Sequence, residues 1–246
     1  SPGDDLRWLD RRSLLRHDHL LVRQFETETD RALRVVVDAT ESMAYAGKKG
    51  PAKLAFAALV AAALARIATA SGDPIGLSFL GGTGRGVPVT GGREAFERVL
   101  GSLEALKPSG DGFLDVSIVE RAIGGIARTA RRGSVVVVLS DLLDLPEGSV
   151  ERIGAICARG RVVVLVQTLH PDEVEFPFAE GTRLRAAEGE FVVESDERSR
   201  EKYVANRRAH TTAYRDAIVR RGGRFLSAVT NGDPVETVRG ILDLAR

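Results

Sequence analysis

Five short runs of apolar, mostly β-branched residues punctuate the chain: Leu33–Asp38 (LRVVVD), Ile75–Leu80 (IGLSFL), Ser134–Asp141 (SVVVVLSD), Arg161–Thr168 (RVVVLVQT) and Arg224–Val229 (RFLSAV). Their apolarity is continuous rather than alternating, which predicts strands covered on both faces, as in a parallel sheet. Helical stretches separate them. Pro51–Ser71 is rich in Ala and Leu and apolar nearly all round, which predicts a deeply buried helix. Arg93–Leu106, Val116–Arg131, Ser149–Arg159, Glu197–Arg221 and Pro234–Ala245 are amphipathic. Strands alternating with helices of this length predict a doubly wound α/β fold: a mainly parallel sheet flanked by helices, with right-handed crossovers.

Three regions depart from the alternation. Gly81–Gly92 (GGTGRGVPVTGG) is glycine-rich and predicts a hairpin with a short edge strand near Gly86–Val89. Residues 170–195 contain two prolines, with Glu188–Gly189 between Thr182–Ala186 and Glu190–Glu194, which predicts an inserted loop and small hairpin. Residues 1–32 form an N-terminal extension, read as a short helix over Asp4–Leu15 and an extended stretch over Leu20–Glu28. With no internal repeat or low-complexity linker, the simplest partition of residues 1–246 is a single domain.

Composition narrows the function classes. The 246 residues are 43% hydrophobic and 28% charged, an ordinary globular balance. A net charge of +1 supplies no overall field to attract nucleic acid or an anionic membrane non-specifically. Cys157 is the lone cysteine, which excludes an intrachain disulfide and fits a cytoplasmic setting. The most apolar stretch, Ala52–Ala70, is interrupted by Lys53 and Arg66, so no membrane span is expected in this chain. The chain opens at Ser1 without a signal-peptide pattern and is expected to belong to a longer protein, for which a membrane tether stays open.

Candidate chemistry sits at two strand ends. In an open α/β sheet, ligands bind beyond the carboxyl ends of the strands. One apolar run ends in Asp38-Ala39-Thr40-Glu41-Ser42 and another in Ser140-Asp141. Neighbouring strands lie about 4.8 Å apart, so the two carboxylates can share a cation if those strands adjoin. Without one they repel, and removing either is then expected to stabilise the metal-free protein. Carboxylate and hydroxyl oxygens are the hard ligands that Mg²⁺ prefers, which nominates Asp38, Thr40, Ser42 and Asp141 as a Mg²⁺ site.

Asp38-Ala39-Thr40-Glu41-Ser42 resembles the Asp-x-Ser-x-Ser metal-ion-dependent adhesion site of von Willebrand factor A domains, and Ser140-Asp141 resembles its later aspartate. The resemblance sharpens to the bacterial domain-of-unknown-function family fifty-eight. It is carried by Gly3-Asp4-Asp5-Leu6-Arg7-Trp8-Leu9-Asp10, Val22-Arg23-Gln24-Phe25-Glu26, Lys53-Leu54-Ala55, Gly72-Asp73-Pro74-Ile75-Gly76-Leu77 and Leu139-Ser140-Asp141. It implies a Rossmann-like fold, a protein-binding role, and a MoxR-type AAA+ ATPase as partner, since such ATPases are often encoded beside family members. Three departures stand out. Thr40 replaces the usual serine, and Arg11 stands where the opening block usually ends in tryptophan. The stretch Ser109–Asp115 lacks the threonine that usually adds a ligand, so that either Asp111 or Asp115 substitutes or the ligand is lost. These departures predict weak metal binding.

Other residues carry less. His17 and His19 lack a third ligand at suitable spacing, and His170 and His210 are isolated in sequence. No His-Glu-x-x-His, Gly-x-Ser-x-Gly or phosphate-loop pattern is present. Arg131-Arg132 and Arg207-Arg208 read as helix-surface charge. Trp8 reads as a core anchor. The expected function is a non-enzymatic, metal-dependent protein-interaction module. The alternative is a Mg²⁺-dependent phosphatase with a strand-end aspartate nucleophile. That chemistry calls for a second aspartate at position 40, which is Thr40, and a lysine near Asp141, whose nearest lysines along the chain are Lys107 and Lys202.

Overall fold

A computed structural model describes residues 31–48, 50–110, 115, 117–143, 145–185, 192–194 and 196–246. The expectations for residues 1–30, including Trp8, His17 and His19, and for Asp111 lie outside the described residues.

The main sheet has six strands in the order β3-β2-β1-β4-β5-β8. These are β1 (Leu33–Asp38), β2 (Ile75–Leu80), β3 (Val87–Thr90), β4 (Val135–Ser140), β5 (Val162–Leu169) and β8 (Arg224–Val229). All pairings are parallel except β2–β3 at one edge. The sequence-based fold class is therefore observed, with an outward reversal of strand order on either side of β1 and β4 as in other doubly wound sheets.

Both faces of the sheet are buried, which explains the unbroken valine runs. Val35, Val37, Val137, Leu139, Val164 and Val166 pack on one face with α1 (Lys53–Ala70), α2 (Arg93–Glu104) and α7 (Pro234–Ala245). Val36, Val136, Val138, Val163 and Leu165 pack on the other with α3 (Ile118–Thr129), α4 (Ser149–Ala155) and α6 (Glu197–Arg220). Alternation along each strand thus sends successive apolar side chains to two separate cores.

Several details differ from the sequence-based expectation. Half of α1, not nearly all of it, is buried; its inner row includes Phe56, Val60 and Leu64, while Leu59 is 55% exposed. By length and composition α1 is also apolar enough to cross a membrane, although here its inner face packs on the sheet. The helix after β4 ends at Ala155, and the turn that follows it closes through left-handed φ values of 67° at Arg159 and 72° at Gly160. Residues 170–195 contain an unexpected short helix, α5 (Pro171–Glu175), before the antiparallel pair β6 (Arg183–Arg185) and β7 (Val192–Glu194).

Candidate functional site

β1 and β4 are hydrogen-bonded neighbours, so Asp38 and Asp141 emerge side by side at the carboxyl edge of the sheet. Both are fully buried. Asp38 folds its own loop around itself: Oδ1 accepts from the Thr40 amide at 3.0 Å and the Thr40 hydroxyl at 2.7 Å. Its Oδ2 accepts from the Ser140 hydroxyl at 2.5 Å. This is an Asx-type turn, in which a short acidic side chain substitutes for a backbone acceptor. It feeds a 3-10 turn at Glu41–Ala44 and sets the Thr40 and Ser42 hydroxyls 3.1 Å apart. Burial, and then the charge of Asp141, push the Asp38 carboxyl up to about 6, against the opposing pull of its hydrogen bonds.

Asp141 is anchored differently. Its Oδ1 accepts from the Leu143 amide at 2.9 Å, and its Oδ2 accepts from the Lys53 ammonium at 2.6 Å. Between them, the buried Leu142 sits at φ 62°, a left-handed conformation that costs a side-chain-bearing residue roughly 1–2 kcal/mol. Its amide donates to Ser140 Oγ at 2.9 Å, so the hydroxyl that serves Asp38 also holds this strained exit from β4.

Lys53 opens α1, where the helix dipole disfavours a cation. It is retained there by two acids: Asp141, and Glu173 on α5, whose Oε1 accepts from Nζ at 2.7 Å. Burial pulls its pKa down, but Asp141 and Glu173 outweigh that, and the net is above the usual lysine value. Glu173 in turn accepts from the His170 amide at 2.7 Å through Oε2, closing the capping box of α5. His170 is fully buried, edge-on to Tyr45 with centroids 5.0 Å apart, and its Nε2 accepts from the Gly47 amide at 3.2 Å. Tyr45 donates to Asp172 at 3.0 Å. The loop after Asp38 is thereby tied to α5.

Lys53, Glu173, His170 and Tyr45 are thus part of the site, although sequence reasoning did not assign them to it. The lysine absent near Asp141 along the chain is present in space, so that objection to phosphatase chemistry fails. One signal was legible: a lone lysine at the positive end of an apolar helix needs a buried acid to hold it. The other objections gain weight. Both Asp38 oxygens already accept hydrogen bonds and neither is exposed, which is a poor state for a nucleophile.

The donor set can be tested against Mg²⁺. Bonds of 2.0–2.1 Å in an octahedron place adjacent ligands about 2.9 Å apart, and the Thr40 and Ser42 hydroxyls, 3.1 Å apart, match such an edge. Asp38 lies behind them as a hydrogen-bond acceptor. Asp141 is already neutralised by Lys53. Asp115 does not substitute for the missing threonine: it accepts from the Ser117 amide at 3.1 Å and its hydroxyl at 2.8 Å, and pairs with Arg121, which holds its carboxyl well below the usual range. Among the described residues no group of three or more His, Cys, Asp or Glu side chains is arranged to hold a metal. The two hydroxyls match one edge of an octahedral shell, but both are buried, so an ion held there would require the loop to open and water to complete its coordination.

The chain is similar to an uncharacterized protein of Mycobacterium tuberculosis, 28% identical over 236 residues, covering 94% of this chain and 73% of that protein. Its fold is similar to the conserved hypothetical protein BatB from Bacteroides thetaiotaomicron, with a TM-score of 0.57 at 20% identity, covering 87% of this chain and 98% of that one. An aerotolerance-related membrane protein from Bacteroides fragilis aligns with a TM-score of 0.57 at 16% identity, over 87% and 98% of the two chains. The family described as "Protein of unknown function DUF58" matches residues 1–213, and the chain belongs to that family, with a doubly wound α/β fold.

Proposed function

We propose that this domain is a non-enzymatic protein-interaction module that engages its partner through the carboxyl edge of the sheet, around the loop from Asp38 to Lys48. The observation that carries this is the pair of hydroxyls, Thr40 and Ser42, set 3.1 Å apart over Asp38 at the end of β1. Mg²⁺ belongs to the same proposal. Thr40 and Ser42 would hold the ion, Asp38 would accept hydrogen bonds from its waters, and the ion's own chemistry would be to offer a coordination position to an acidic partner side chain. The partner favoured by the family resemblance is a MoxR-type AAA+ ATPase, and the role is assembly or remodelling of other proteins. A cytoplasmic placement, with a tether elsewhere in the full-length protein, goes with it; the Bacteroides fragilis protein's description as a membrane protein supports that part.

The test is binding of the chain to the MoxR-type ATPase encoded nearest to it, measured with and without Mg²⁺ and with Thr40→Ala and Ser42→Ala. Mg²⁺-dependent binding that weakens in both variants is expected. Binding indifferent to Mg²⁺ and to both substitutions removes the metal from the proposal, and no binding removes the ATPase. Phosphatase turnover that disappears in Asp38→Asn would overturn the non-enzymatic assignment.

A further inference from the structure

The opposite edge of the sheet carries a second charged feature that the site above does not use. Arg128, Arg131, Arg132, Arg159 and Arg161 line a groove of about 750 Å³ together with Gly160, and among the described residues no acid lines it. The chain's net charge of +1 gives no sign of this cluster. The fold gathers it: Arg131 and Arg132 precede β4, while Arg159 and Arg161 precede β5, so both pairs reach the amino edge where α3 also ends.

The guanidinium groups are placed rather than loose. Arg132 packs across Gly160, where a Cβ would lie 3.1 Å from its Cγ. The Gly133 amide donates to the Gly160 carbonyl at 2.9 Å, pinning the two turns together. Arg159 occupies a left-handed conformation, φ 67°, that glycine or asparagine would adopt with less strain. Arg161 is 8% exposed; its Nη1 donates to the Ala127 carbonyl at the end of α3, at 3.0 Å, and its buried Nε has no hydrogen-bond partner among the described residues. The neighbouring Arg34 shows the same pattern: Nη1 donates to Thr129 Oγ1 at 3.0 Å while its buried Nε has no such partner. Burial and the nearby Arg161 charge push the Arg34 guanidinium below its usual pKa.

Capping the last carbonyls of α3 needs one cation, and Arg161 already fills that role. Arg128 pairs with Glu120 at 3.7 Å. Arg132 and Arg159 remain exposed with no acidic partner among the described residues. Planar guanidinium forks around one hollow are matched to the oxygens of a phosphate group.

The geometry points to an anion site in this groove for a phosphorylated ligand, with Arg132 and Arg159 as its exposed contacts and Arg161 at its floor. It lies at the other end of the strands from Asp38 and Asp141, so the two sites can be filled together. The phosphate can come from a free compound such as a diphosphate, or from a phospholipid headgroup.

The experiment titrates the intact chain with sodium pyrophosphate by calorimetry at fixed ionic strength, and in parallel sediments it with phosphatidylglycerol-containing and pure phosphatidylcholine vesicles. Arg132→Ser and Arg159→Ser are compared with wild type; both side chains are exposed, and an unchanged melt without ligand verifies their fold. The expected result is saturable pyrophosphate binding that weakens about tenfold in each variant, a charged hydrogen bond contributing about that factor, and that weakens further with added salt. Sedimentation with the phosphatidylglycerol vesicles, lost in the variants, supports the site with a headgroup as its source; pyrophosphate binding without sedimentation supports it with a free phosphate compound. Absence of both, or binding unchanged in both variants, overturns the site.

Discussion

Lys53 Nζ lies 2.6 Å from Asp141 Oδ2 with both side chains almost wholly removed from solvent, so a tethered ammonium stands beside the carboxylate that was expected to share a metal ion. This reverses one expectation from sequence. Two bare aspartates would repel, and deleting one would stabilise the protein. With Lys53 in place, deleting Asp141 instead strands a buried ammonium on Glu173 alone. Breaking a buried pair by removing one partner costs about 3–5 kcal/mol. Lys53→Met and Asp141→Asn are each expected to destabilise the fold by that order, and the double variant by clearly less than the sum. Urea denaturation of the four proteins checks this; additive losses would show that the pair is not coupled.

The same burial gives stability a pH dependence. Asp38 is raised from an ordinary 3.8 to about 6, so the native state holds its proton more tightly than the unfolded chain. The favourable contribution is complete below the unfolded value and is lost as pH rises through about 6. A gap of that size corresponds to about 3 kcal/mol. Denaturation midpoints should therefore reveal a downward component between about pH 4 and about pH 7 that Asp38→Asn lacks. The difference between the two proteins is the measurement; identical profiles would mean Asp38 titrates normally.

The fold was legible because burying a sheet on both faces leaves short unbroken runs of β-branched residues, as in Val35–Val37 and Val135–Val138. Asp38 and Asp141 were legible as neighbours because each ends such a run. Lys53 and Glu173 were not, since their meeting depends on how α1 and α5 cross the edge, 120 residues apart in the chain. α5 is five residues long, too short for helical periodicity to register, although Pro171 at its first turn and Glu173 at its cap were visible signs. The early end of α4 was hidden because the turn over residues 156–160 carries no proline and its one glycine, Gly160, comes last.

The glycine-rich loop after β2 acts on the site through space rather than through ligands. Gly82 has φ +73°, and a Cβ there would stand 2.6 Å from the Ala39 Cβ, immediately after Asp38. Gly82→Ala therefore combines left-handed strain of roughly 1–2 kcal/mol with overpacking of typically 1–3 kcal/mol. It should destabilise the fold by about 2–5 kcal/mol and move the Thr40 amide and hydroxyl off Asp38. Thermal melts check the first effect. The second should appear as a change in the Thr40 amide resonance larger than those of β5, far from the contact.

Mg²⁺ affinity follows from what each oxygen already does. Asp141 is paired with Lys53, both oxygens of Asp38 accept hydrogen bonds, and Thr40 and Ser42 are 2% and 4% exposed. An ion must open this packing and still retain several waters, because Mg²⁺ dehydrates reluctantly. Ligand at a concentration equal to its dissociation constant adds only about 0.4 kcal/mol to native-state stability. For a chain of this size that is a melting shift of about 1–2 °C. A titration from micromolar to millimolar Mg²⁺ should show a small rise only at the upper end, and Ser42→Ala should remove it. Lys53→Gln, which withdraws the competing ammonium but retains a hydrogen-bond donor to Asp141, should lower the Mg²⁺ concentration needed, despite its own lower baseline stability. Saturation of the wild type at micromolar Mg²⁺ would contradict this account, since it requires Asp141 to be free of Lys53.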